Sequence, residues 1–189
     1  MKKLLTLLLA ALLLCSFSLT MISCGSDDGE SSSSSGDNNP PATTKTFSND
    51  YFSFQYPSSL SQMGEDNGTT VMFIDMTRGS TLTLTYQYNE MSADEIAELD
   101  MRPEVSDAEM LLLFKNQFGE DAVSDYSAIR QKGCYLQTFT VVQAGITMYM
   151  TSAVTFVTAD GGAVMLNFTI ADMDASRPIA STVLQRTFD

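Results

Sequence analysis

Ile146-Thr147-Met148-Tyr149-Met150-Thr151-Ser152-Ala153-Val154-Thr155-Phe156-Val157-Thr158, Ala159-Asp160-Gly161-Gly162 and Ala163-Val164-Met165-Leu166-Asn167-Phe168-Thr169-Ile170 together spell a long β-hairpin. In the first arm the even positions Ile146, Met148, Met150, Val154 and Phe156 are apolar, and the odd ones are largely threonine. That period of two belongs to a strand with one buried face. The middle stretch carries an Asp-Gly hairpin signal. The second arm returns with Val164, Leu166, Phe168 and Ile170 facing inward.

Upstream, Cys134 to Gln143 and Val123 to Gln131 read as two more strands joined by a tight turn at Lys132-Gly133. Thr81 to Tyr88 is a clear strand, with Leu82, Leu84, Tyr86 and Tyr88 on one side and threonines and Gln87 on the other. Thr70 to Thr77 is apolar on both sides, which predicts a place at the centre of the sheet. The segment from Leu60 to Gly68 reads as loop. Tyr51 to Tyr56 alternates and ends at Pro57, after a turn at Phe47-Ser48-Asn49-Asp50.

Helices fall between and after these strands. Ser92-Ala93-Asp94-Glu95 and Ser106-Asp107-Ala108-Glu109 are capping boxes, in which a serine and a glutamate satisfy each other's backbone amides. The first opens a short helix with Ile96 and Leu99 inward, broken at Arg102-Pro103. The second opens the main helix, with Met110, Leu113, Phe114 and Gln117 at helical spacing and Gly119 as its stop. It is expected to lie across the sheet. Ser176 caps a last helix, with Pro178 in its first turn and Ile179, Val183, Leu184 and Phe188 as its buried stripe. The sum is α+β: an antiparallel sheet of about six to seven strands with helices packed on it. The opening Phe47 to Pro57, the mid-chain helix and the helix after the final hairpin resemble the PsbP-like fold. Small bacterial envelope lipoproteins, a photosystem extrinsic subunit and a nuclear-transport factor share that fold. The resemblance implies binding or assembly roles in place of catalysis, and carries no functional residues over.

The first 23 residues have the form of a signal peptide. Lys2 and Lys3 precede an apolar run from Leu4 to Leu14, broken only by Thr6. Met21-Ile22-Ser23-Cys24-Gly25 resembles a bacterial lipobox. The resemblance implies that the Cys24 thiol receives a diacylglyceryl group and that a peptidase cuts between Ser23 and Cys24. The 19 uncharged residues from Leu4 to Ile22 also leave an uncleaved transmembrane anchor open. Either arrangement places the domain in the cell envelope, facing away from the cytoplasm. Residues 24–46, rich in Ser, Asp and Pro, bury nothing and form a disordered tether, whose roughly 22 residues span about 25 Å. Asp27, Asp28 and Glu30 resemble the acidic surface-export signals of some Bacteroidetes lipoproteins. Residues 47–189 form a single domain.

Charge and residue chemistry narrow the function. After Ser23 the chain carries 23 acidic residues against eight basic ones, a formal charge of −15. Such a surface repels phosphate backbones, which argues against nucleic acid as a partner. Histidine is absent, which removes the usual proton shuttle and every His-based triad. Cys134 is the lone domain cysteine, expected to be buried and inert. Eight acids between Glu90 and Glu109 read as helix-start chemistry on a solvated face, with basic-partner docking or weak Ca²⁺ binding as the functional alternative. Glu65-Asp66-Asn67-Gly68 and Asp172-Met173-Asp174 lack the ligand spacing of a calcium loop. Met72, Met76, Met148, Met150 and Met165 read as packing in preference to a soft-metal site. Outward tyrosines among Tyr51, Tyr86, Tyr88, Tyr126, Tyr135 and Tyr149 would suit a ligand groove.

The expectation is a non-catalytic protein-binding or assembly module, anchored to the membrane through lipid on Cys24, without a cofactor or metal. The alternative is a solute- or glycan-binding lipoprotein that uses a groove between the sheet and its helices.

Overall fold

The computed structural model describes residues 43–175 and 178–184. In chain order these form β1 (Thr44–Ser48), β2 (Ser53–Pro57), β3 (Ser61–Met63), β4 (Thr70–Ile74) and β5 (Thr81–Glu90). Two helices follow, α1 (Ala93–Ala97) and α2 (Asp107–Phe118). Then come β6 (Val123–Gln131), β7 (Cys134–Gln143), β8 (Ile146–Ala159), β9 (Gly162–Asp172) and α3 (Pro178–Leu184). Among the described residues no helix is long and apolar enough to cross a membrane.

The main sheet has seven strands in the order β3-β4-β5-β9-β8-β7-β6, with every neighbouring pair antiparallel. The α+β expectation holds. Its strand membership differs in two places. β1 and β2 pair only with each other, as a separate two-stranded sheet, and β1 starts at Thr44, inside the stretch read as tether. The seventh strand of the main sheet is β3, from the segment read as loop. Three residues on an edge are too few to show alternation. β4 is not central either, since it lies next to the edge and Met72 is exposed. It stops at Ile74 because the Asp75 carboxylate accepts the amides of Thr77 and Arg78 and turns the chain.

Alternation gives the sheet two faces. On the first, Leu82, Leu84 and Tyr86 stand in register with Ile170, Phe168 and Leu166, and Ala153 pairs with Phe168. The β1–β2 hairpin and α3 cover this hairpin face, adding Phe47, Phe54, Tyr56, Ile179, Val183 and Leu184 to one buried cluster. Ser176 and Phe188 lie outside the described residues. On the opposite, helix face, Met110 and Phe114 of α2 pack on Val123, Tyr135, Phe139, Val141, Met150 and Ala171. The two cores thus sit on opposite faces, one over β4, β5 and β9, the other over β6, β7 and β8. The face of α2 differs from the spacing argument: Leu113 is exposed, and Leu111 and Phe118 join the packing instead. Residues 110–114 are all apolar, so periodicity there defines no single stripe. α1 buries no residue fully; Ile96 is half-buried, as is Leu99 just beyond it.

Two turns fix the hairpin registers. A Cβ on Gly162 would stand 2.1 Å from the Asn89 carbonyl oxygen, so close pairing of β9 with β5 requires glycine there. Ala144 and Gly145 join β7 to β8 with φ values of 51° and 80°, the positive pair that a two-residue hairpin of this hand demands.

Candidate functional site

Cys24 and Ser23 lie outside the described residues. The acidic stretch does what helix starts ask of it. Glu95 accepts the Ser92 amide at 2.8 Å and Glu109 accepts the Ser106 amide at 2.8 Å, so both capping boxes are closed. Those backbone amides, helped by the serine hydroxyls, hold both carboxyls below the usual glutamate range. The Arg102 guanidinium beside Asp100 brings that carboxyl down to about 2. Asp107 pairs with Arg130, whose guanidinium also donates to the carbonyls of Pro103 and Val105. Arg130 therefore ties the start of α2 to β6. Among the described residues no group of three acids or cysteines could hold a metal ion.

The other acidic loops are also structural. Asp66 accepts the Gly68 amide, and Asn67 accepts the amides of Thr69 and Thr70. Asp172 is a buried carboxylate that accepts the Ser80 hydroxyl and the amides of Asp174 and Ile179. It joins the end of β9 to the start of α3 and to the β4–β5 turn. Cys134 is buried, and burial pushes its thiol up to about 11, which makes it a poor nucleophile. The methionines form no single cluster. Met150 packs in the helix-face core, while Met72 lies on β4, separated from β8 by β5 and β9, and is exposed.

The tyrosines divide into three settings. Tyr126 and Tyr135 share a hydrogen bond of 3.1 Å beneath α2, with the Arg130 guanidinium 5.0 Å from the Tyr135 ring centre. Burial and the neighbouring hydroxyl push the Tyr126 phenol well above its usual range. Tyr86 is buried and donates to Asp66 at 2.6 Å; burial, then this bond, raises it to about 12. Tyr51 is 47% exposed and stacks on Tyr88 with ring centres 5.6 Å apart. Tyr88 in turn donates to the Asp160 carbonyl, which locks its ring. An exposed acid lies beside each ring in sequence, Asp50 before Tyr51 and Glu90 two residues after Tyr88. Asn49 beside them uses its carbonyl oxygen on the amides of Tyr51 and Phe52. This tyrosine corner is a rigid aromatic surface in a negative setting.

A second feature was not legible in the sequence. One row of register partners crosses the helix face from Met63 and Met72 through Thr83 and Thr169 to Ser152 and Gln137. Exposure falls along it, from 51% and 43% at the methionines to 4% and 1% at Ser152 and Gln137. The row runs from an exposed edge of the sheet into its covered interior. At its deep end Gln137 Nε2, Ser152 Oγ and Asn167 Oδ1 are buried without hydrogen-bond partners. Each such group ordinarily costs about 1–3 kcal/mol. The available signal was the break in the even positions of β8, where Ser152 interrupts an otherwise apolar series.

No known protein family matches this chain, and no curated protein does. It overlaps in part with the Saccharomyces cerevisiae Ran-binding protein Mog1p, at a TM-score of 0.39 and 9% identity, over 69% of this chain and 78% of that one. It also overlaps with LpqN, involved in cell envelope biogenesis of Mycobacterium tuberculosis, at 0.35 and 9%, over 75% of this chain and 83% of that one. The functional reading rests on this chain's own residues.

Proposed function

We propose that this protein is a cell-envelope module held by lipid on Cys24, whose PsbP-like domain binds another protein and performs no catalysis. The observation that carries the reading is the tyrosine corner. Exposed tyrosines are costly to leave in water and are enriched at the centres of protein interfaces. Here Tyr51 is held flat against Tyr88, so little side-chain freedom is lost when a partner covers it. The acids around it, and the formal charge of −15 after Ser23, select a partner with a basic face. The absence of histidine and the raised thiol of Cys134 support a non-catalytic role.

The test is capture from native membranes. Full-length protein extracted in detergent should retain one reproducible basic partner. Tyr51→Ala should release it at an unchanged melting temperature. Raising the salt toward 1 M, where the Debye length falls to about 3 Å, should weaken capture. A partner held equally well by Tyr51→Ala, or no reproducible partner at all, would sink the reading. Cys24→Ala should free the protein from membranes or block its processing; unchanged fractionation would mean that a transmembrane helix holds it.

A further inference from the structure

We propose that the tyrosine corner recognises an arginine side chain of its partner, with the guanidinium lying flat on the open face of Tyr51 and Asp50 at its rim. This rests on the protein-binding reading above and names the group that the site takes. One face of the Tyr51 ring is covered by Tyr88, at an interplanar angle of 18°, while the residue stays 47% exposed. Its other face is therefore free for a ligand. The ring beneath cannot swing away, because the Tyr88 hydroxyl donates to the Asp160 carbonyl at 2.9 Å. Phe52, the next residue, stands edge-on to Tyr86 with ring centres 5.2 Å apart, which fixes the turn that carries Tyr51.

Negative charge gathers around the same ring. Asp50 directly precedes Tyr51, and Glu90 is the next side chain after Tyr88 on that face of β5, about 7 Å along the strand. Asp66 reaches the corner through Tyr86, whose hydroxyl it accepts at 2.6 Å. Among the described residues no cation answers these acids. Arg78, Arg102 and Arg130 pair with Asp174, Asp100 and Asp107, and Lys45 and Lys132 donate to the carbonyls of Leu60 and Ala97. Lys115 lies on α2, over the opposite face of the sheet. Of the cations a partner can offer, arginine fits best. Its guanidinium is planar and weakly hydrated, so it stacks on a ring and still turns its N–H groups outward to carboxylates. A lysine ammonium is compact and strongly hydrated, and gains less from a flat ring. The chain makes the same contact internally, where the Arg130 guanidinium lies 5.0 Å from the Tyr135 ring centre.

The test titrates full-length protein in detergent, by calorimetry, with hexa-arginine, hexa-lysine and hexa-citrulline peptides. Hexa-arginine should bind about fivefold more tightly than hexa-lysine, and the uncharged hexa-citrulline should not bind. Tyr51→Ala should erase that preference and leave the two cationic peptides equal, at an unchanged melting temperature. Tyr51→Phe keeps the ring and should keep the preference. Asp50→Asn should weaken both cationic peptides. The proposal is overturned if hexa-arginine and hexa-lysine bind the parent equally. It is equally overturned if the preference survives Tyr51→Ala, which would assign it to the carboxylates alone. Hexa-arginine should also displace the partner captured from membranes. A captured partner that needs Tyr51 yet resists hexa-arginine would overturn the arginine contact and leave the protein-binding reading standing.

Discussion

The hairpin face and the helix face are two sides of one sheet, yet their cores sit over different strands and pack their aromatic rings differently. On the hairpin face Phe54 sits edge-on to Phe73 and Phe168, with ring centres 5.9 and 5.6 Å apart, and Tyr56 lies 4.5 Å from Phe73. Its buried carboxylate, Asp172, has every described donor it needs. On the helix face one aromatic stack, Phe114 on Phe139 at 4.1 Å, stands beside three polar groups without partners. The hairpin face has one such group as well, the buried Thr151 opposite Ile170, so the difference lies in how many aromatic rings interlock on each side.

The largest test of that contrast is a pair of truncations. Phe168→Ala should cost about 4–5 kcal/mol and Phe139→Ala about 3 kcal/mol in chemical denaturation, because cavities in the tighter core collapse less. Equal losses would break the asymmetry. Asp172→Ala comes next. It strands the Ser80 hydroxyl and the amides of Asp174 and Ile179, and should cost about 2–3 kcal/mol. Asp172→Asn should recover part of that loss.

Alkali should act first through Cys134, whose buried thiol is raised to about 11, and then through Tyr86. Its folded pKa, about 12, lies above the ordinary value of 10.0, so the protonated phenol is favoured by folding. The associated stability is complete below pH 10 and is lost as pH rises through 12, by about 2 kcal/mol. Tyr86→Phe should flatten that limb of a urea-denaturation series; an unchanged limb would place the titration elsewhere. The smallest effects belong to the helix caps. Ser106→Ala should cost about 1 kcal/mol, since it frays the helix that carries Met110 and Phe114. Ser92→Ala should cost less globally, because α1 buries no residue, and should show instead as faster amide exchange within α1.

Much of this fold is written in the strands themselves. β6 and β7 begin and end where the sequence places them, and both capping boxes have the predicted bonds. These signals are local, being set by alternation or by two residues three apart. What failed was decided at a distance. Nothing local says that β2 leaves the main sheet, that Ser61–Met63 completes it, or which of five consecutive apolar residues in α2 faces inward. The buried polar row was hidden for the same reason. Gln137, Ser152 and Asn167 sit on three different strands, and only the register between those strands brings them together. The tyrosine corner was half visible, since the rings could be named from sequence but not their exposure.

The way β1 joins the domain has a mechanical consequence. Thr44 pairs with Pro57 at the open end of its hairpin, opposite the turn between Ser48 and Ser53. A pull applied through the residues before Thr44 loads that end first. It peels β1 from β2 one rung at a time instead of shearing all the rungs together. Phe47, which lies 5.4 Å from Phe54, is then the catch at which peeling has to extract a ring from the core. Tension up to that point frees a few residues of β1 and leaves the seven-stranded sheet intact.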